Sequence, residues 1–497
     1  MNGVTLARPT VPELPDLVRS LHAREGRMQM AYAWQPERGR TEIRYLSGSG
    51  IKEPFAIWAV DAKQDRMPSL TAESPLLGWY EREIADLYGI SFAGHPDLKR
   101  LVLQDGARVD VPPMRVTAPL GEQQELNLIG RVGGMPEVEG PDVQRLPWGP
   151  VRADVVESGE FIFYYIGEHI LHLHTQLFFK HRGMEARFRG LTPTGGVVLA
   201  ERVSAVGSLS HALAYCQAVE AAAGTVVPPR ARMLRVLLAE LERLYNHLHY
   251  LGHLADMTTL KVGAAEGKYL EERAKQLNGK LTGSRFLRNM LIPGGLRRDF
   301  DPGEWLGEEL ERLREEIAVY VAKLESTNSY LDRLMTTGRL PEAVAFDQGA
   351  TGPVKRASGI DRDLRRDHSY AGYDGLPLTV PMKTGGDAHA RAQVRIAEID
   401  ASIVLIQRVL LLLEAGAIAA PCAAPPGSEG LGWAENPRGS VFYAVHVGAD
   451  GRLARVKVKS PSFSNWRVFP YTVHDSNMMD YAINEASFGL TIAGCDR

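Results

Sequence analysis

Between residues 105 and 150 the chain holds no hydrophobic period; glycine, proline and isolated charges dominate there, and 497 residues are thereby split into two unequal patterned regions. The pattern predicts one hydrophobic core before the break and a second after it. Ahead of the break, a helical pattern from Val11 to Arg24 precedes strand-like runs at Met28 to Trp34, Thr41 to Leu46 and Phe55 to Val60, then a helix around Gly78 to Leu87. That mixture predicts a small α+β domain over residues 1–105, an extended linker over 106–146 and a second domain over 147–497.

The second domain opens with two alternating runs, Phe161 to Ile166 and His169 to His174, around Gly167-Glu168, a pair suited to a tight hairpin. Beyond it the pattern is mostly helical. From Pro229 to Leu260, Leu234, Leu237, Leu238, Leu241, Tyr245 and Leu248 fall on one helical face, and Pro302 to Thr337 and Ala388 to Ala415 read as further helices. Strands return at Val441 to Val447 and Leu453 to Val458. The fold class expected is α+β: a small α+β domain followed by a mainly helical large domain with a small antiparallel sheet.

Composition narrows the function. A net charge of -3 argues against nucleic acid or an anionic membrane surface as a partner. The start has no basic stretch followed by an apolar core, so no secretory signal is expected, and the apolar run from Ala401 to Cys422 is broken by Gln407, Arg408 and Glu414, which suits a buried helix better than a membrane span. Three scattered cysteines, Cys216, Cys422 and Cys495, supply no disulfide framework and no iron–sulfur ligand set, and a reducing cytoplasmic location follows.

Two stretches carry family resemblance. Trp79-Tyr80-Glu81-Arg82-Glu83-Ile84-Ala85-Asp86-Leu87-Tyr88-Gly89-Ile90, followed by Gly94-His95-Pro96-Asp97-Leu98-Lys99-Arg100, resembles the signature of the C-type (30 kDa) subunit of respiratory complex I. From about residue 147 onward the chain resembles the D-type subunit of complex I and the large subunits of energy-converting hydrogenases, through His181-Arg182-Gly183-Met184-Glu185, Leu281-Thr282-Gly283-Ser284-Arg285, Thr351-Gly352-Pro353-Val354-Lys355-Arg356 and Pro437-Arg438-Gly439. A C-like unit fused to a D-like unit is typical of formate-hydrogenlyase-type large subunits.

Within that resemblance, Glu201-Arg202-Val203-Ser204-Ala205-Val206-Gly207-Ser208-Leu209-Ser210-His211 is similar to the nickel–iron hydrogenase tract Glu-Arg-Val-Cys-Gly-x-Cys-Gly-x-x-His, and Gly494-Cys495-Asp496-Arg497 to its Cys-Thr-Asp-Arg ending. The ligands are missing. Ser204 and Gly207 stand at the first cysteine pair, Thr491 and Gly494 at the second, with Cys495 one residue out of register. Soft metals need thiolate or imidazole donors at fixed spacing, so no metal is expected. The resemblance implies an emptied cavity framed by Glu201, Arg202, His211, Asp496 and Arg497, with Asp496 as the anion facing Arg202.

The resemblance further implies an oxidoreductase subunit that binds no cofactor itself and docks on a small iron–sulfur subunit. Its acceptor would be a quinone or another compound, and antiporter-like membrane subunits would hold it on the cytoplasmic face of the inner membrane. Arg182 and His253 match residues that lie beside the partner's cluster. The quinone-binding histidine and tyrosine of the D-type family are replaced by Arg152, in Gly149-Pro150-Val151-Arg152, and by Ser204-Ala205. Two other readings stay open: an active hydrogenase with atypical ligands, and a non-catalytic scaffold. No catalytic residue is assigned. Outside the resemblance, Glu242, Asn246, His249, His253 and Asp256 form a polar helical stripe that reads as a solvated face or as part of a proton path, and His172 and His174 share one side of a strand. Gly133-Gly134 and Gly294-Gly295 lack the strand–glycine–helix context of a dinucleotide site.

Overall fold

The computed structural model describes residues 4–497 apart from 38, 49, 104–106, 109–110, 119–126, 129–137, 139, 153–156 and 475, so much of the 106–146 segment and the pair Gly133-Gly134 lie outside the described residues. Helices and small sheets are both present, as an α+β chain requires. The first unit holds β1 (Val4–Ala7), α1 (Leu14–His22), β2 (Arg27–Glu37), β3 (Arg40–Gly48), β4 (Phe55–Asp61) and α2 (Gly78–Tyr88). Its sheet runs β1-β4-β3-β2, with β1 parallel to β4 and the other pairs antiparallel. Helix α1 packs on it through Leu14, Val18 and Leu21, one stripe at helical spacing. Strand β1 escaped the pattern because Thr5, Leu6 and Ala7 are exposed on a sheet edge.

The second unit starts with a three-stranded sheet of β5 (Gln144–Trp148), β6 (Glu160–Ile166) and β7 (His169–Gln176), ordered β7-β6-β5. Strand β5 begins inside the stretch read as linker. Its exposed edge position and Pro147 remove the alternation that would have marked it. The expected β6–β7 hairpin turns at Gly167, whose φ of 60° is left-handed.

Helices α3 (Ser208–Ala223), α4 (Pro229–Met257), α5 (Lys261–Thr282), α6 (Gly303–Glu325) and α7 (Ala388–Leu412) follow. The pattern over 302–337 resolves into α6 and a short helix Asn328–Leu334. An antiparallel sheet of β8 (Glu429–Asn436), β9 (Gly439–Val447) and β10 (Leu453–Lys459) comes next, then α8 (Pro461–Val468), α9 (Tyr481–Phe488) and α10 (Ile492–Asp496). Helix α3 lies on β8 at backbone contact: a Cβ on Gly430 or Gly432 would fall 2.1 Å from the carbonyl of Ala218 or Ala214. Among the described residues no helix is long and apolar enough to cross a membrane.

The leucine face of α4 is buried as its spacing predicts. Its opposite side is not a solvated stripe throughout: Glu242 and Asn246 are buried, and only His249 and His253 are exposed. Buried ion pairs knit α4 to α7 and β8. Arg243 reaches Glu398 (3.2 Å) and Glu240 (3.3 Å); Arg356 reaches Glu435 (2.9 Å) and Asp363 (3.2 Å); Arg365 reaches Asp363 (2.8 Å) and Glu240 (3.1 Å). Breaking one such pair strands a desolvated charge, so this belt fixes the relative placement of its elements.

Candidate functional site

The Glu201–His211 turn and the C-terminal helix α10 meet, and the segment Lys180–Arg182 clamps them together. The Arg182 guanidinium donates to the carbonyls of Arg202 (3.0 Å), Val203 (2.6 Å) and Ala493 (2.9 Å), so one side chain spans both. Its backbone N–H donates to the Arg497 carbonyl (3.0 Å), His181 bonds the Asp496 carbonyl (2.7 Å), and the Lys180 N–H donates to the Asp496 carboxylate (2.9 Å). The start of α10 is capped twice. Thr491 Oγ1 accepts from Gly494 N (3.2 Å), and the Glu157 carboxylate accepts from Ile492 N (2.6 Å) and Ala493 N (3.0 Å).

Three of the four positions that match thiolates converge. A Cβ on Gly494 would sit 2.5 Å from Thr491 Oγ1 and 3.4 Å from both Ser204 Oγ and Ser462 Oγ, and Ser462 Oγ is hydrogen-bonded to Thr491 Oγ1 (3.1 Å). At the fourth, Gly207 has φ +79° and a Cβ there would lie 1.6 Å from Asn436 Nδ2. The Asn436 amide thus stands where a side chain at 207 would have to be. At the positions expected to frame a cavity, the hydroxyls of Ser204, Thr491 and Ser462 gather round Gly494 and the Asn436 amide abuts Gly207.

Arg202 is also corrected. Its side chain is about half exposed and donates to the Val198 carbonyl (2.7 Å), lying 3.6 Å from Glu201; it does not face Asp496. Neutral backbone donors, not an arginine, satisfy the Asp496 carboxylate on one oxygen, and its Oδ1 is buried without a partner. Arg497 is committed elsewhere: it reaches Glu83 (2.8 Å) and Glu185 (3.3 Å) and stacks over the Phe463 ring at 4.3 Å. Lys457 joins the same cluster, 2.7 Å from Glu83 and 3.1 Å from Glu185.

Burial controls titration here. The Asp496 carboxyl is pushed up to about 7 by desolvation, outweighing its backbone hydrogen bonds. Glu242 is likewise pushed up to about 7 by burial, although it accepts from Leu209 N (2.7 Å) and Ser210 N (2.9 Å) at the head of α3. Glu201, which accepts from Asn289 N (2.7 Å), is raised by burial too. His211 bonds the Tyr443 hydroxyl (2.9 Å) and is held down to about 3 by burial, so it is neutral. Arg438 falls to about 9 through burial and the repulsion of Arg395. Sequence reasoning missed Glu157, Asn436, Ser462 and the cap made by Glu242, because each acts across a long sequence separation and no local spacing marks it.

A nickel–iron centre does not fit this donor set. Two hydroxyls and two glycines offer no thiolate, and the Cys495 thiol is buried with its acidity suppressed, pushed well above the ordinary range by desolvation. Among the described residues no group of three or more His, Cys, Asp or Glu side chains is placed to hold a metal. His253 stacks on His249 at 6.3 Å on the exposed side of α4, and His249 pairs with Glu271 (3.0 Å).

Comparison with known proteins places these features in a family. Residues 12–124 match the model of the respiratory-chain NADH dehydrogenase 30 Kd subunit, residues 269–426 and 419–497 that of its 49 Kd subunit, and residues 182–286 that of nickel-dependent hydrogenase. Formate hydrogenlyase subunit 5 of Escherichia coli (strain K12) is 30% identical over 487 residues, covering 94% of this chain and 84% of that protein. The C/D subunit of NADH-quinone oxidoreductase from Rhodopseudomonas palustris (strain BisA53) is 26% identical over 514 residues, covering 93% and 88%. The structure of an archaeal membrane-bound sulfane sulfur reductase, a respiratory membrane complex, includes a chain of the same fold, with a TM-score of 0.68, 24% identity and coverage of 72% of this chain and 99% of that one. The chain belongs to the complex-I-like oxidoreductase family that joins the 30 Kd and 49 Kd units in one polypeptide and includes formate hydrogenlyase subunit 5.

Proposed function

We propose that this chain is the large subunit of a membrane-associated, complex-I-like oxidoreductase that works without a nickel–iron centre. In this reading the iron–sulfur cluster that delivers electrons sits in a small partner protein, and the acceptor is an organic compound, with quinone the first candidate. Antiporter-like membrane subunits hold the assembly at the cytoplasmic face of the inner membrane and move the ion. The observation that carries the reading is the set of hydroxyls from Ser204, Thr491 and Ser462 at Gly494, with the Asn436 amide against Gly207, where the hydrogenase tract carries thiolates.

The site retains a means of answering an electron. Asp496 and Glu242 are buried carboxyls pushed up to about 7, so negative charge arriving nearby raises their proton affinity further and draws a proton in. Arg182, bound to three carbonyls across the turn and α10, would transmit that change to the surface that faces the partner cluster. His253, exposed on α4, is the second residue assigned to that surface.

The test uses the purified complex. Nickel content and hydrogen-dependent dye reduction should sit at background, while electrons supplied to the partner cluster should reach a soluble quinone, and Arg182→Ala should slow that transfer. About one nickel per chain, with hydrogen oxidation, would favour the hydrogenase with atypical ligands. Clusters that reduce but pass nothing to any acceptor would favour the scaffold.

A further inference from the structure

A cleft lined by neither the Glu201–His211 turn nor α10 opens elsewhere in the molecule. It has a volume of about 770 Å³ and lies between the Trp79–Arg100 segment of the first unit and strand β7 of the second, with the turn after α8 as its third wall. That volume is in the range of small-molecule sites, well above what a few waters need.

Its walls are unequal in charge. Arg82, Lys99, Arg100 and Arg467 line it against a single acid, Asp97. Arg467 is the informative one. It is 6% exposed, its two terminal nitrogens donate to the carbonyls of Leu76 and Gln348, and its Nε has no partner. Among the described residues no carboxylate is paired with it, and burial beside Arg27 lowers its proton affinity to about 10. A desolvated guanidinium held only by carbonyls is a costly arrangement that an anion in the cleft would relieve.

The remaining wall suits an apolar body. Trp79 packs edge-on against Phe178 (6.3 Å) and Phe463 (5.6 Å) and is partly exposed; Tyr471, across the cleft, is 47% exposed. His172 and His174, which the two-residue period places on one side of β7, both face this space, and His172 lies 5.8 Å from the His474 ring. His95 is structural: its Nδ1 accepts from Asp97 N (3.0 Å), which leaves Nε2–H to donate to the Gly78 carbonyl (3.1 Å).

We propose that this inter-unit cleft is a binding site for a small organic anion, an aromatic or apolar body carrying a carboxylate, sulfonate or phosphate group, separate from the hydroxyl cluster at α10. The anionic group would lie toward Arg467 and the rim cations, and the body against Trp79 and Tyr471. This inference is independent of the redox reading.

The full-length chain, titrated with 8-anilinonaphthalene-1-sulfonate, tests it by fluorescence. One saturable site is expected, with the uncharged analogue N-phenyl-1-naphthylamine bound about tenfold more weakly, the equivalent of one charge-assisted contact. Arg467→Gln should weaken the sulfonate by about the same factor and leave the uncharged probe unchanged. If Arg467→Gln does not fold by circular dichroism, the double variant Lys99→Ala/Arg100→Ala decides, since both side chains are exposed. It should weaken sulfonate binding about fivefold, and Tyr471→Ala should weaken both probes. Equal affinity for charged and uncharged probes, or sulfonate binding unchanged in the Lys99/Arg100 double variant, overturns the proposal.

Discussion

Arg497 donates to Glu83 across 2.8 Å, joining the last residue of the sequence to helix α2 of the first unit over a separation of 414 positions. Glu185, Lys457 and Arg455, the last 2.7 Å from Glu185, complete the cluster, and all five side chains are buried. Removing Asp496 and Arg497 therefore leaves Glu83 facing Lys457 alone and strips the clamp from α10. The expected loss is about 1.5–3 kcal/mol, the usual cost of losing a hydrogen bond to a charged group, since Glu83 keeps Lys457 and Glu185 keeps Arg455. The loss should appear in both units, because Glu83 belongs to the first and Arg497 to the second. Urea unfolding checks it; a truncated chain with the midpoint of the full-length protein would mean the cluster contributes nothing.

Gly207 gives a sharper test of the contact with Asn436. Gly207→Ala forces a side chain into a left-handed backbone and onto the Asn436 amide, and should destabilise by about 1–3 kcal/mol. Asn436→Gly should recover part of that loss in the double variant, because the clash is removed while the backbone strain stays. Additive effects in a double-mutant cycle would show that the two residues do not meet.

Protonation of Glu242 leaves a signature with a definite sign. Its folded affinity is pushed up to about 7 against an unfolded value near 4.5, so between those pH values the folded state holds the extra proton. The stabilisation is complete below about 4.5 and is lost as pH rises through 7, at about 1.4 kcal/mol for each tenfold change in proton affinity. Buried neutral histidines such as His211 act in the opposite direction, so the readout is the difference between wild type and Glu242→Gln. Wild type should lose ground to the variant between pH 5 and 8, on top of a constant offset from the lost acceptor. A flat difference would mean that Glu242 does not titrate in that window.

Arg182 should act locally. Arg182→Lys keeps the charge but cannot span three carbonyls, so amides in the 202–207 turn and in α10 should exchange with solvent at least about tenfold faster, a loss of roughly 1.4 kcal/mol of local protection. Exchange in α5, remote from the contact, should not change. Uniform acceleration throughout the chain would point to global destabilisation instead.

Much of the fold was legible because its signals are local. Strands β2 to β4, the β6–β7 hairpin, the leucine face of α4 and the apolar α7 each repeat within a few residues. The edge strands β1 and β5 were not, since exposed side chains and Pro147 leave no alternation. At the candidate site the missing thiolates could be read directly, but what replaced them could not. Asn436 reaches Gly207 over 229 positions and Glu157 reaches Ile492 over 335, distances at which spacing carries no information. The Arg202–Asp496 pairing failed for a related reason: sequence can count charges but cannot see that Arg182 and Lys180 reach that corner first.

The Glu83–Arg497 contact also couples two events. Glu83 belongs to the first unit and Arg497 ends the chain beside α10, so drawing the units apart pulls the chain end from its buried anchor. Loosening of the two units and unseating of the chain end are thus one transition.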